Sequence, residues 1–207
     1  MDIAIIGAGN VGTALAGAFA RAGHHVTITA THPEHAAQVA KATGTGSVAT
    51  IQEAIVVGDV VILAVPGAAF DALVGEVGNE LAGKVVVDVS NRPPPDPSGA
   101  GTSAAEELQA RIPNARLAKA YNTAFASRQA DPTLDGVAAD GFVAADDDDA
   151  KRTVLDLVES IGFRPVDAGS LASSRTLEGM AWLNTSRNMQ SGTWQDASVL
   201  LGPDSRN

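Results

Sequence analysis

The stretch from Ile3 to Gly23, IAIIGAGNVGTALAGAFARAG, places an apolar run, a glycine-rich turn and a helical repeat directly after one another. Gly7, Gly9 and Gly12 stand in the spacing GxGxxG, immediately after the strand pattern and immediately before the helical one. In a strand–turn–helix unit the first such glycine allows a tight turn, the second lets backbone approach a pyrophosphate, and the third lets helix and strand pack closely. Val11, Leu15, Ala18 and Ala22 recur at helical spacing, and Gly23 falls where a left-handed C-cap is expected. The unpaired N–H groups of the first turn would then face a phosphate, with the helix dipole favouring its charge. Gly7, Ala8, Gly9, Asn10, Val11 and Gly12 are therefore the candidate dinucleotide cradle. The plainer reading is a glycine turn of any α/β protein.

The rest of the chain supports an α/β fold. Short β-branched runs are expected as strands at Ile3 to Ile6, Val26 to Thr29, Val60 to Val65 and Val85 to Val89, with another near Arg116 to Ala120. Helical stretches separate them, and their continuous hydrophobicity implies helices on both faces. The reading is a Rossmann doubly wound, mainly parallel sheet with a small C-terminal α/β annex. The segment NRPPPDPSGAG, 91 to 101, is expected as an irregular loop at the strands' C-terminal edge. Beyond Tyr121 follow an apolar stretch at Gly141 to Ala145, a helix from about Asp147 to Ile161, a strand at Arg164 to Val166 and a helical region from Ser173 onward. Residues 1–145 are expected to form the NAD(P)-binding domain, and 146–207 an annex completing an acceptor pocket. With 207 residues and 45% hydrophobic side chains, there is material for one core.

Composition excludes several classes. The apolar runs are too short to span a bilayer, and Met1-Asp2 leads into a strand without a signal-peptide pattern, so a cytoplasmic protein without membrane partners is expected. A chain without cysteine forms no disulfide and offers no thiolate. A formal charge of -10 disfavours nucleic acid and points to small-molecule partners.

Between Gly12 and Glu34 the chain has no carboxylate to accept from a ribose 2′-hydroxyl, so a 2′-phosphate would meet no repulsion. Thr31 and His32 could donate to that phosphate, and NADP is the expected coenzyme. His35 could add partial charge, although for His24, His25 and His35 plain surface exposure is the simpler reading. Small residues at Ala64, Val65, Pro66 and Ala69 leave space over the crevice. Ser90, Asn91, Asn122 and Thr123 follow later strands and could contact ribose or carboxamide. Either asparagine could equally serve its own turn.

Taken together, GAGNVG at 7 to 12, DVVILAVP at 59 to 66, VVVDVSN at 85 to 91, KAYNT at 119 to 123, IGFRPVDAGSL at 161 to 171 and SSRTLEGMAWL at 173 to 183 resemble the family of NADP oxidoreductases dependent on coenzyme F420. Relatives of that family include the N-terminal oxidoreductase domain of membrane ferric reductases. The resemblance implies NADP(H) on the glycine loop and a deazaflavin or flavin against the nicotinamide. Where that family commonly has Ser-Arg for the 2′-phosphate, this chain has Ala30 and Thr31, and bulk is reduced at Gly67 to Ala69.

No Ser/His/Asp set, metal cluster or paired base stands out, and no catalytic residue is assigned. Hydride transfer between two bound coenzymes needs alignment more than acid–base groups. Phe125, Met180, Trp182, Met189 and Trp194 could wall an acceptor pocket, with Ser191, Thr193 and Gln195 serving polar groups, or they could be ordinary packing. Trp182 and Trp194 are the more suggestive pair in a chain with 4% aromatics. The run Asp146 to Asp149 reads as helix capping rather than a metal site. Lys119 reads as structural or phosphate-side. The alternatives to a deazaflavin acceptor are FMN or FAD, a small carbonyl or imine, or a noncatalytic dinucleotide sensor, and a homodimer through the C-terminal helix is expected.

Overall fold

The computed structural model describes residues 1–48, 50–92 and 101–192. The chain opens with β1 (Asp2–Ile6), α1 (Asn10–Arg21), β2 (His25–Thr29), α2 (Pro33–Thr43), the short β3 (Gly46–Ser47), α3 (Ile51–Val57) and β4 (Val60–Leu63). It continues through α4 (Phe70–Val77), β5 (Val85–Asp88), α5 (Ala104–Arg111) and β6 (Arg116–Ala120). The remainder comprises α6 (Ala126–Ala130), β7 (Thr133–Leu134), β8 (Val137–Ala138), β9 (Asp140–Ala145), α7 (Asp148–Ser160), β10 (Arg164–Asp167) and α8 (Ser174–Ser191).

β1 to β6 are mutually parallel in the order 3-2-1-4-5-6, the doubly wound Rossmann arrangement with its switch point between β1 and β4. β9 joins β6 antiparallel, and β10 extends the same sheet parallel to β9. Successive strand residues feed opposite cores, because side chains alternate across a sheet. Ile3, Ile5 and Val87 pack under Leu15 and Phe19 of α1 and Leu157 of α7. Ala4, Ile6, Val61 and Val86 pack under Ile55, Leu73, Val77 and Leu108 on the other face. The central strands β4 and β5 are almost wholly apolar because water reaches neither side.

The expected strand ends at Val65 and Val89 lie beyond the observed ones, Leu63 and Asp88. The apolar residues that follow leave the ladder and turn into loops at the crevice. Of the stretch 91–101, residues 93–100 lie outside the described residues, as do Thr193, Trp194 and Gln195. Among the described residues no helix is long and apolar enough to cross a membrane.

Local chemistry sets the helix starts. Ser103 and Glu106 form a capping box at α5, each satisfying the other's backbone N–H. Asp147 accepts from Ala150 N at α7, so the acidic run caps that helix as the sequence implied. Arg116 grips Asp147 with two bonds of 3.0 and 2.7 Å and holds its carboxyl down at about 2. Asp146 accepts from Leu171 N at 2.9 Å. Arg175, in the first turn of α8, makes a matching two-bond grip on Glu106, which lowers that carboxyl to about 2. α8 is thereby tied to α5. Leu177 packs with Phe142 and Ala144 of β9, and Met180 joins them. That is the packing reading which its sequence position also allowed.

Candidate functional site

The glycine loop sits where β1 and β4 diverge. Gly7 N donates to Thr29 O at 2.8 Å, pinning the loop to the end of β2. Gly7 has φ 115°, and a Cβ there would lie 2.3 Å from Ala64 O. A Cβ on Gly12 would lie 1.9 Å from Gly7 O. The protein itself therefore demands glycine at both positions. Gly9 is different: φ -73° and ψ -169° suit any residue, and a Cβ there would meet nothing within 4 Å. Neither backbone strain nor packing explains glycine at this position. Beside it, Thr13 N makes the first bond of the helix, to Gly9 O at 2.9 Å. Helix geometry leaves the N–H groups of Asn10, Val11 and Gly12 without intrahelical acceptors, and no acidic residue stands in this turn.

A cavity of about 400 Å³ opens on one side of the loop. Nine of the expected residues line it: Gly7, Ala8, Gly9, Thr31, His32, Ala64, Val65, Pro66 and Ala69. Ile51 of α3 and Ala72, Leu73 and Glu76 of α4 add to the wall, none of them marked by a motif. His35 also lines it. Its ring, on the first turn of α2, brings Nε2 to 3.0 Å from Ala8 O, so it has a role that surface exposure alone does not describe. His24 is half-buried edge-on against Phe19 at 5.7 Å, and burial, then the N-terminal ammonium, lowers its pKa. Simple exposure holds for His25.

A second cavity, about 240 Å³, lies beyond Val11 at the ends of β5 and β6 and under α8. Asn91, Asn122, Thr123 and Phe125 line it, joined by Gln129, Asn184 and Thr185, which no sequence motif marks. Asn91 Nδ2 donates to Asn122 O and Asn122 Nδ2 to Asn91 Oδ1, both at 2.9 Å, so each asparagine serves the other's loop. Asn184 Nδ2 donates to Thr123 O at 3.0 Å. Gln129 Nε2 donates to Tyr121 O and Ala124 O, which fixes its amide orientation. Gln129 Oε1 and Asn122 Oδ1 remain buried acceptors without a hydrogen-bond partner. Ala181, Asn184 and Thr185 share one face of α8, a helical spacing that was legible but carried no chemical signature. Trp182 follows Ala181 and is 37% exposed; Met189, 66% exposed, lies further along α8.

Between the loops lies a charged cluster. Lys119, wholly buried on β6, donates from Nζ to Asp88 Oδ2 at 2.8 Å, Glu178 Oε1 at 3.1 Å and Ser90 O at 2.5 Å. Glu178 Oε1 also accepts from Ala104 N, and Asp88 Oδ1 from Ser90 N. Ser90 is buried, its Oγ without a partner. The three ionic groups join β5, β6, α5 and α8. Lys119 is structural, which its sequence reading allowed.

Strand order, switch point and glycine turn define a Rossmann protein with its crevice at the C-terminal ends of the parallel strands. Residues 2–92 match the family described as NADP oxidoreductase, coenzyme F420-dependent. The F420-dependent NADP reductase of Methanothermobacter marburgensis is 32% identical over 205 residues, covering 86% of this chain and 88% of the relative. The chain belongs to this family. Rat metalloreductase STEAP3 is 31% identical over 181 residues, covering 85% of this chain and 35% of that protein, so the chain spans about a third of the metalloreductase's length. A solved structure from Arthrobacter sp. FB24, named for an F420-dependent NADP reductase, superposes with TM-score 0.83 at 29% identity, covering 96% of this chain and 100% of the other.

Proposed function

We propose that the chain is an NADP(H)-dependent oxidoreductase whose second coenzyme is the deazaflavin F420. The observation that carries the reading is Gly9, a glycine whose missing side chain leaves open space beside three free helix N–H groups. The N–H groups of Gly9 to Gly12, with Ala8 beside them, would hold the pyrophosphate. The cavity lined by Thr31 and Glu76 would hold the adenosine, with Thr31 and His32 available to the 2′-phosphate. Ala64, Val65, Pro66 and Ala69 clear the path, and Asn91, Asn122 and Thr123 flank the nicotinamide end, with Ser90 buried next to Asn91. Trp182, exposed on α8 next to cavity-lining Ala181, is assigned to the acceptor side; Trp194 lies outside the described residues.

When bound, the two coenzymes supply the hydride chemistry themselves. The chain's residues align the rings and exclude water, for which effective molarity is the relevant gain. No side chain has to move a proton, and the buried Lys119 is already held by two carboxylates. Purified protein mixed with NADPH and oxidised F420 should bleach the deazaflavin absorbance. FMN or FAD is the alternative acceptor, and parallel trials with those flavins separate the two. Tight NADPH binding with no acceptor would leave a noncatalytic sensor. Exposed Trp182, Leu183 and Met189 on α8 support a homodimer, which sedimentation velocity checks.

A further inference from the structure

The cavity beside the glycine loop contains, among the described residues, no lysine or arginine. Its titratable groups are His32, His35 and Glu76. His32 follows β2, where a dinucleotide's ribose 2′ substituent is met in this fold, and its Nδ1 stands 3.7 Å from Glu34 Oε1. His35 approaches from α2, and because Ala8 O can only accept, the ring carries its hydrogen on Nε2 and gains or loses its charge at Nδ1. Glu34 faces His32 from the same helix, and Glu76 of α4 closes the opposite wall, held at 3.4 Å by Gln52 Nε2. A 2′-phosphate in this cavity therefore finds cationic partners only when an imidazole is protonated. A 2′-hydroxyl has no such requirement.

We infer that His32 and His35 make the choice between NADPH and NADH depend on pH, preference for the 2′-phosphate growing as the imidazoles take up protons. The inference rests on the dinucleotide reading of the glycine loop. Neutral His32 can still donate one hydrogen bond, whereas neutral His35 has its one hydrogen on Ala8 O, so NADPH binds at alkaline pH, but less tightly. Charge-assisted bonds to phosphate are about twice as strong as neutral ones. The phosphate monoester loses its own second charge only near pH 6, which would oppose the trend, so the informative range lies above that.

The test is calorimetric titration of the whole chain with NADPH and with NADH at pH 6.5, 7.5 and 8.5. The NADPH dissociation constant should weaken by about tenfold across that range, roughly 1.4 kcal/mol, while that of NADH stays within about twofold. The double variant His32→Gln, His35→Gln keeps amide donors for Ala8 O and phosphate and should give a weak, flat NADPH profile. His32→Arg should give a tight, flat one. A steady NADPH:NADH ratio in the unaltered protein, with NADPH bound, overturns the inference while leaving the dinucleotide reading intact. Failure of both nucleotides to bind at any pH overturns both.

Discussion

Two regions at the C-terminal ends of the parallel strands are built in opposite ways. The loop from Gly7 to Gly12 is made of backbone, carries no ionised side chain and faces open space. The Lys119, Asp88 and Glu178 cluster holds three ionised groups in a closed interior. By residue type alone, the charged cluster has the stronger claim to be an active site. Its partners, however, are all protein atoms, and the groups serve to join strands and helices. Charge here marks construction, and its absence marks the place left for a ligand.

Breaking the charged region should have the largest effect. Lys119→Met leaves Asp88 and Glu178 as two buried carboxylates without their cation, at a cost of about 3–5 kcal/mol. A thermal melt should show the loss, and Glu178→Gln in the same chain should restore part of it. Gly12→Ala should come next. Its Cβ would fall 1.9 Å from a backbone carbonyl that cannot swing aside, and overpacking of this kind costs about 1–3 kcal/mol. Stability and NADPH affinity should fall together, because the loop must open to admit the methyl group.

The smallest effect concerns acid. Arg175 depresses Glu106 from 4.5 to about 2, and Arg116 depresses Asp147 from 3.8 to about 2. A carboxylate with a lowered folded pKa stabilises above its unfolded value and loses that contribution as pH falls. The melting temperature should therefore decline between about pH 4.5 and 2. Arg175→Met should melt below the unaltered protein at neutral pH and converge with it near the acid end. A constant gap across pH would show that the pairing with Glu106 does not set the difference.

The sheet was legible because parallel strands buried on both faces must be apolar throughout, as VVIL at 60–63 and VVVD at 85–88 nearly are. Their ends were not, since Val65 and Val89 are as apolar as the ladder they follow. Gly7, Gly9 and Gly12 were legible as a spacing, but only coordinates separate two glycines required by close packing from one that packing leaves unexplained. The lysine cluster was hidden by distance along the chain, Glu178 lying 59 residues from Lys119. Gln129 and Asn184 reach their cavity from two helices whose sequences carry no motif for it. His35 is exposed on the first turn of α2 as expected, but a surface position does not reveal that its ring turns back to Ala8.

Gly9→Val is the direct trial of the glycine-loop account. NADPH titrated into it and into the unaltered chain at pH 6.5, with melting curves alongside, should show affinity reduced by about a hundredfold, roughly 2.7 kcal/mol, at an unchanged melting temperature. Equal NADPH affinity in the two proteins would contradict the claim that the space over Gly9 belongs to the pyrophosphate.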